Sequence, residues 1–365
     1  MIVRKLRLRN FRNYERAEIE FSSGLNLFVG LNAQGKTNLL ESLVYLSLTR
    51  SHRITDDTQM IRHGCPFAEM ECEFEDGIEK RIGVRITPQG KTLLYNRMPV
   101  KKSSEFIGLL NVVLFAPDDL SLFHDQPRER RRVMNQEITK ILPRYLNALN
   151  RYQALLKERN TLLRNPRPDL TYLDTLDKQM VREETVIIED RRSFIAGVNG
   201  HMKQIYQELS ETDADVKLDY RSCIDGSEKQ IESALQEMYR ESRQRDLDTF
   251  MSNQGIQRED ICFLLNGRNI IDTASQGQKR MMMLAFRLSL LHYIREQTGR
   301  SAVLLLDDVL SELDEQRQKK LMELVSDDVQ CMITATEIPA FLKAAHPASY
   351  TVTDGKVEKT DGGRA

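Results

Sequence analysis

With 365 residues, 40% of them hydrophobic and 29% charged, the chain has the make-up of a soluble globular protein with one large domain or two ordinary ones. No apolar run is long enough to span a bilayer, the N-terminus carries no secretory apolar segment, and the five cysteines show no C-x-x-C pair, so a reduced cytoplasm is the expected setting, with neither zinc nor a disulfide framework implied. A formal net charge of −1 argues against strong nonspecific nucleic-acid binding by the monomer but leaves room for a local basic face.

The opening residues alternate. Val3, Leu6 and Leu8 are apolar among Arg4, Lys5, Arg7 and Arg9, and Ala17-Glu18-Ile19-Glu20-Phe21 alternates again, which predicts two antiparallel strands leading into a third. Between them, Asn10-Phe11-Arg12-Asn13-Tyr14 is a polar and aromatic corner. It fits a nucleotide-facing role, with Arg12 on phosphate and the corner packed on adenine, and equally a tight turn with a solvated arginine.

Leu25-Asn26-Leu27-Phe28-Val29 reads as a buried strand and residues 38–48 as a helix with Leu39, Leu40, Leu43 and Val44 on one face. Between strand and helix, Gly30-Leu31-Asn32-Ala33-Gln34-Gly35-Lys36-Thr37 fits the phosphate-loop pattern G-x-x-x-x-G-K-[ST] at every required position. Gly30 and Gly35 allow turns and a close backbone approach that a Cβ would block. The loop N–H groups then line an anion-sized hollow at the positive end of a helix. Lys36 is placed to neutralise β- and γ-phosphate charge and Thr37 to offer a hydroxyl to Mg²⁺. Leu31, Asn32, Ala33, Gln34 and Asn38 complete the expected ATP-binding set. With strand, loop and helix in order, a chance glycine-rich turn is the poorer reading.

Residues 67–99 read as a β-meander: Met70, Cys72 and Phe74 alternate, as do Ile82, Val84 and Ile86, with Asp76-Gly77 as a turn. Val112-Val113-Leu114-Phe115 is a short buried strand. After Ala116-Pro117-Asp118-Asp119 the period turns helical to about residue 210. Pro127 suits a helix start, and Arg128, Arg130, Arg131 and Arg132 follow it. Tyr145, Leu149, Tyr152, Leu156 and Leu163 step by threes and fours, Asn165-Pro166-Arg167-Pro168 breaks the pattern, and Leu173, Leu176, Met180, Ile187, Phe194, Val198, Met202, Ile205 and Leu209 resume at nearly heptad spacing. Two long antiparallel helices are expected, an imperfect coiled coil because Arg191 falls in the apolar seam. Residues 216–220 then read as a strand, 228–243 as a helix and 260–265 as a strand with an Asn266-Gly267 hairpin turn, near which the chain is expected to re-enter its first domain. Residues 359–365 form a polar tail.

Ser275-Gln276-Gly277-Gln278-Lys279-Arg280 precedes a helix with Met281, Leu284, Leu288, Leu291 and Ile294 on one side; taken alone, Ser275 reads as an N-cap. Val303-Leu304-Leu305-Leu306-Asp307-Asp308 is a buried strand ending in two carboxylates, apolar on both faces as a parallel-sheet strand should be. Asp307 is placed to meet Mg²⁺ beside Thr37, and Asp308 to orient the attacking water. The pair could also cap a helix, a weaker reading in a chain that already has a phosphate loop.

S-x-G-Q, an apolar strand ending in acidic residues, and then Ser311-Glu312-Leu313-Asp314 follow the order of signature, Walker B and D-loop in the ABC ATPase superfamily. More narrowly, the chain resembles the RecF family of bacterial recombination mediators. The blocks that carry this are Leu8-Arg9-Asn10-Phe11-Arg12-Asn13-Tyr14, Arg50-Ser51-His52-Arg53, Phe115-Ala116-Pro117-Asp118-Asp119-Leu120, Pro127-Arg128-Glu129-Arg130-Arg131-Arg132, Ala274-Ser275-Gln276-Gly277-Gln278-Lys279-Arg280 and the run from Leu304 through Asp314. The fold implied is α/β: an ABC-type P-loop ATPase head, residues 1–116 and 250–365, with an inserted helical, short coiled-coil-like second domain, residues 117–249.

The resemblance implies ATP and Mg²⁺ as cofactors and an ATP-dependent homodimer. One protomer would supply Gly30 to Thr37, Asp307 and Asp308. The other would bring Ser275, Gln276, Gly277 and Gln278 to the γ-phosphate, with Ser311 and Asp314 in the D-loop. It implies partners as well: single-strand/double-strand DNA junctions at gaps, and RecR with RecO in loading RecA. Lys101, Lys102, Arg128, Arg130, Arg131 and Arg132 are candidate DNA contacts, each equally readable as a solvated charge; some of these arginines could instead hold the two lobes together.

The chain departs from the pattern in places. Gln257 stands where the family usually has a histidine, Asp308 where transporter-type ATPases have Glu, and Thr334-Ala335-Thr336 where they have a switch His. No Gln-loop is evident, and Asp118 or Asp119 holds the comparable place. Slow hydrolysis is the expectation. A transporter-coupling ATPase is disfavoured by the long helical insertion and the missing His and Gln-loop. A long-coil SMC protein is disfavoured because the central helices are too short.

Overall fold

The computed structural model describes residues 1–224, 230–325, 328–343 and 347–360. The chain forms two compact units. Met1–Leu120, His201–Ala214 and Gln276–Ala365 make the first; Ser121–Gly200 and Asp215–Ser275 make the second.

In chain order the first unit begins with β1 (Ile2–Phe11), β2 (Tyr14–Glu20), β3 (Leu25–Val29), α1 (Lys36–Leu48), β4 (Ala68–Asp76), β5 (Ile78–Thr87), β6 (Gly90–Tyr95), β7 (Met98–Val100) and β8 (Val112–Phe115). Then come α2 (Pro127–Ile141), α3 (Pro143–Leu163), α4 (Leu170–Ser210), β9 (Val216–Arg221), α5 (Ile231–Thr249), β10 (Asp260–Leu265), β11 (Arg268–Asn269) and α6 (Ile270–Thr273). The first unit closes with α7 (Gln276–Thr298), β12 (Val303–Asp307), α8 (Glu315–Leu324), β13 (Cys331–Ala335), α9 (Ala340–Lys343), β14 (Ala348–Thr353) and β15 (Lys356–Thr360).

The first unit holds two sheets. One is antiparallel, in the order β2-β1-β4-β5-β6-β7. Its strict alternation puts Val3, Leu6, Leu8, Met70, Cys72, Phe74, Ile82 and Val84 in the core and charged residues on the other face. The other sheet runs β15-β14-β3-β13-β12-β8, parallel except for β15 at its edge. Its strands β8, β12 and β13 are buried along their whole length, which is why they read as unbroken apolar runs. Helix α1 is buried nearly all round, beyond the four positions its period identified. Part of the expected polar tail is strand β15, paired antiparallel with β14; the residues after 360 lie outside the described ones.

The second unit is helical around a small sheet, β11-β10-β9. The expected return to the first domain near residue 260 therefore does not occur there. β10 pairs with β9 from Asp260↔Arg221 to Leu265↔Val216, so residues up to 275 belong with the insertion, while 201–214 go with the first unit. The predicted helix from 228 starts in residues outside the described ones, and its described part runs six residues past 243, to Thr249.

Arg191 is not a flaw in an apolar seam. It is fully buried and donates to the Tyr145 hydroxyl (3.0 Å), Asn135 Oδ1 (3.0 Å), the Ile256 carbonyl (3.3 Å) and Glu259. Arg159, also fully buried, bridges Asp177 (2.7 Å), Asp246 (2.8 Å) and the Ser252 hydroxyl (2.8 Å). Buried guanidinium groups persist only with this degree of pairing. They tie helices α3, α4 and α5 to the 252–259 segment.

Candidate nucleotide site

The site grows out of one sheet register. β12 lies beside β13 with Asp307 opposite Thr334, and β13 lies beside β3, which enters the phosphate loop. The Thr334 hydroxyl donates to Asp307 Oδ1 (2.7 Å) and accepts from the Asp308 N–H (2.8 Å). From the other side the Thr37 hydroxyl donates to the same Asp307 oxygen (3.1 Å). Three residues 270 and 27 positions apart in sequence thus meet on one carboxylate. Burial pushes the Asp307 carboxyl above its ordinary range, against the pull of the Thr334 and Thr37 hydrogen bonds.

The two loop glycines serve different needs. A Cβ on Gly30 would lie 2.2 Å from the Val352 carbonyl oxygen, so the loop can pass under β14 only without a side chain. Gly35 takes φ +114, a left-handed conformation, at the start of α1. The loop crest is braced from two hairpin turns. Gln34 accepts at its carbonyl from Asn13 Nδ2 (3.0 Å) and the Gly355 N–H (3.1 Å), and its side chain accepts from the Asp354 N–H (2.7 Å). The Tyr14 hydroxyl donates to the Gly35 carbonyl (2.9 Å).

Lys36 Nζ donates to the carbonyls of Gly30 (2.5 Å) and Leu31 (2.9 Å), standing where phosphate oxygens would compete for it. Burial lowers its pKa, opposed by Asp308 and Asp307. Asp308 has φ +52, and its Oδ1 is buried with no hydrogen-bond partner among the described residues. An unsatisfied buried carboxylate oxygen is costly, and Asp308 lines a cavity of about 440 Å³ together with Asn32, Ala33, Gly35, Lys36, Thr37, Asn38, Arg53 and Asp307.

Several expectations are revised. Arg12 does not line the cavity. Its guanidinium takes Glu41 in a bidentate pair (2.9 and 2.8 Å) and reaches the Gln59 carbonyl (3.2 Å), because Glu41 is fully buried in α1 and needs a cation. Arg53 lines the cavity instead, donating to Asn38 Oδ1 (3.3 Å). His52 beside it is half-buried, and desolvation lowers its pKa; its Nδ1 has no hydrogen-bond partner among the described residues. Asp119 is committed to Arg287 (2.9 Å) and to the Ala116 N–H (3.1 Å), while Asp118 is exposed.

Of the predicted DNA candidates, Arg130 is buried in a bidentate pair with Asp260 (2.8 and 2.7 Å) and Arg131 donates to the Glu259 carbonyl, so neither is a free surface cation. Arg132 is exposed but paired with Glu129 (2.6 Å); Arg128, Lys101 and Lys102 are exposed. Ser275, Gln276, Gly277 and Gln278 are exposed at the start of α7, and Gln276, Gly277 and Gln278 do not line the cavity. Ser311 donates to the Asp308 carbonyl (2.7 Å), and Asp314 caps α8 through the Arg317 N–H (2.9 Å).

Residues 2–359 match the family model of the RecF/RecN/SMC N terminal domain. The DNA replication and repair protein RecF of Listeria monocytogenes serotype 4b is 38% identical over 366 residues, covering 97% of this chain and 98% of that one. This chain belongs to the RecF family. The RecF protein of Streptococcus suis is 37% identical over 372 residues, covering 98% and 100% of the two chains. A solved structure of the recombination mediator protein RecF-ATP in the RecFOR pathway superposes with a TM-score of 0.90 at 30% identity over 98% of this chain and 99% of that one. An Smc head bound to the C-terminal winged-helix domain of ScpA shares the fold alone, with a TM-score of 0.57 at 17% identity over 99% and 97% of the chains. The RecF fold is thus the α/β head with a helical insertion that the motifs predicted. Among the described residues no helix is long and apolar enough to cross a membrane.

Proposed function

We propose that this RecF-family chain is an ATP-gated DNA-binding protein that closes head to head on ATP at single-strand/double-strand DNA junctions and reopens on slow hydrolysis. In this role it serves gap repair, with RecR and RecO as partners in loading RecA. The observation that carries the reading is the meeting of Thr37, Asp307 and Thr334 beside Asp308, at a cavity to which the exposed Gln276–Gln278 stretch of the same chain does not contribute. Lys36 and the loop serve the phosphates from one side of this site, and a second copy's Ser275 to Gln278, at a helix N-terminus, would add donors to the γ-phosphate from the other. A relative solved with ATP supports the choice of nucleotide.

The oxygen donors of Thr37 and Asp307, adjacent and part-buried, fit a hard cation. Mg²⁺ held there would neutralise charge on the β- and γ-phosphates. Within the chain itself, Lys36 exchanges the Gly30 and Leu31 carbonyls for phosphate oxygens as the nucleotide enters. Thr334 fixes the Asp307 carboxylate and the Asp308 backbone, and Asp308 orients the attacking water. An Asp in place of Glu and a threonine in place of a switch histidine support slow turnover; a rate above about 10 per second would overturn that part.

The test is the oligomeric mass of wild type and Ser275→Arg, each with ATP, Mg²⁺ and gapped DNA. Wild type should dimerise only with ATP, and Ser275→Arg should bind ATP, stay monomeric and lose DNA affinity. If both bind DNA equally as monomers, the trans arrangement is wrong and Ser275 is only a helix cap.

A further inference from the structure

The outer face of the β2-β1-β4-β5-β6-β7 sheet is built in rows of directly opposed residues, which share a face in an antiparallel sheet. One row places Glu20, Lys5, Glu73 and Arg81 side by side, and the next Glu18, Arg7, Glu71 and Gly83. Every charge in these two rows is paired: Lys5 with Glu18 (2.7 Å) and Glu20 (2.8 Å), Arg7 with Glu71 and Glu73 (2.8 Å each), and Arg81 with Glu71 (3.5 Å) and Glu73.

The third row differs. Arg16 stands opposite Arg9, Arg9 opposite Glu69, Glu69 opposite Arg85 and Arg85 opposite Thr92. None of the three arginines forms an ion pair among the described residues, and all three are exposed. Arg9 and Arg85 instead hold their guanidinium groups over the Phe67 ring, 5.2 and 4.3 Å from its centroid. Like charges directly opposed on neighbouring strands are destabilising. The row keeps such a pair, and a surplus of two positive charges, beside two rows in which every charge is paired.

We propose that this row, Arg16, Arg9 and Arg85 around Phe67, is a docking site for the phosphate backbone of DNA. The proposal rests on the reading above that the chain binds DNA, and it places part of the contact on this sheet rather than on the basic run after Pro127. Charge complementarity selects the occupant. At about 4.8 Å between strands the row extends about 14 Å, and duplex DNA offers a negative charge every ~1.7 Å of axis. Guanidinium groups match phosphate in a bidentate way, and the Phe67 ring orders two of them before contact, which lowers the entropy lost on binding. Apart from the half-buried Phe67, no large hydrophobic side chain exposed among the described residues lies in the row, so it lacks the broad apolar centre of a protein interface. Position adds a use: Arg9 and Arg16 stand at the base of the hairpin whose turn, through Asn13 and Tyr14, braces Gln34 and Gly35 of the nucleotide loop.

The test is a salt titration of gapped duplex DNA binding, with ATP and Mg²⁺, for wild type, the triple variant Arg9→Ala/Arg16→Ala/Arg85→Ala, the corresponding triple lysine variant, and Arg81→Ala from a neutralised row. Each phosphate-bound arginine lost should flatten the slope of log K against log salt by about 0.9, so the triple alanine variant should lose about 2 to 3 and bind more weakly at every salt concentration. The lysine variant should keep most of the slope because it keeps the charge, Arg81→Ala should match wild type, and ATP affinity should be unchanged in all. Arg16→Ala alone, whose side chain makes no hydrogen bond or ion pair among the described residues, carries the same test at a third of the size should the triple variant not fold. If wild type binds DNA and the triple alanine variant binds with the same slope and affinity, the row is not the DNA contact and is left for an acidic protein partner, with the proposed function intact. If wild type binds no DNA with ATP present, both fall together.

Discussion

Glu184 lets the buried chemistry of the second unit be measured. Its side chain is fully buried in α4, where Oε1 accepts from the Ile256 N–H (3.0 Å). Burial raises its pKa from the ordinary 4.5 to about 7, with the Ile256 N–H pulling the other way. The folded protein therefore holds a proton that the unfolded chain has released between those two values. Stability must fall as pH rises through that window and stay low above it, because the native state binds more protons there. From 4.5 to about 7, at 1.36 kcal/mol per pH unit, the cost of ionising Glu184 in place is about 3 kcal/mol. Glu184→Gln keeps an acceptor for Ile256 and removes the titration. Urea unfolding followed by circular dichroism, since the chain has no tryptophan, gives the difference between variant and wild type from about pH 5 to about pH 8.5. That difference should be small at the acid end and should grow to about 3 kcal/mol in favour of the variant above pH 7; other titrating groups cancel in it. A difference that is flat across the range would refute the reasoning.

Two further outcomes follow from the first unit. Arg12→Ala leaves the buried Glu41 carboxylate with the Ser51 hydroxyl (2.5 Å) and a long ion pair to Arg53 (4.0 Å), which should cost about 3 kcal/mol and lower the melting temperature; adding Glu41→Gln should recover most of the loss, whereas a phosphate ligand at Arg12 would show instead as lost ATP affinity that the second change does not restore. Thr334→Val removes the donor to Asp307 and the acceptor for the Asp308 N–H; ATP turnover in single-turnover assays should fall about 5- to 150-fold, from about 1 to 3 kcal/mol of lost positioning, with ATP affinity close to wild type. Equal turnover in Thr334→Val would show that the two aspartates hold their places without it.

The parts of the site that could be read in the sequence are those whose physics is local. A glycine-bounded loop between a strand and a helix, and an apolar strand ending in carboxylates, declare themselves because neighbouring residues impose the conformation. The parts that could not be read depend on register. Thr334 stands in the sequence only as a missing histidine, and it becomes the partner of both aspartates because β13 aligns with β12 so that it faces Asp307. Arg12 follows a strand that could end in solvent, and what claims it is a glutamate 29 residues on. Periodicity treats Arg191 as an interruption since it scores each helix by itself, while the acid that justifies it, Glu259, arrives 68 residues later from beside β10. The same limit misplaced the domain boundary: alternation identifies 260–265 as a strand but not the sheet it joins, and pairing with β9 assigns it to the insertion. Charge on an open sheet face shows the rule from the other side. Lys5, Arg7 and Arg9 alternate identically along β1 and each faces a glutamate on β4; only the partners on β2, Glu20 and Glu18 for the first two and Arg16 for the third, distinguish a neutral surface from one that awaits an anion.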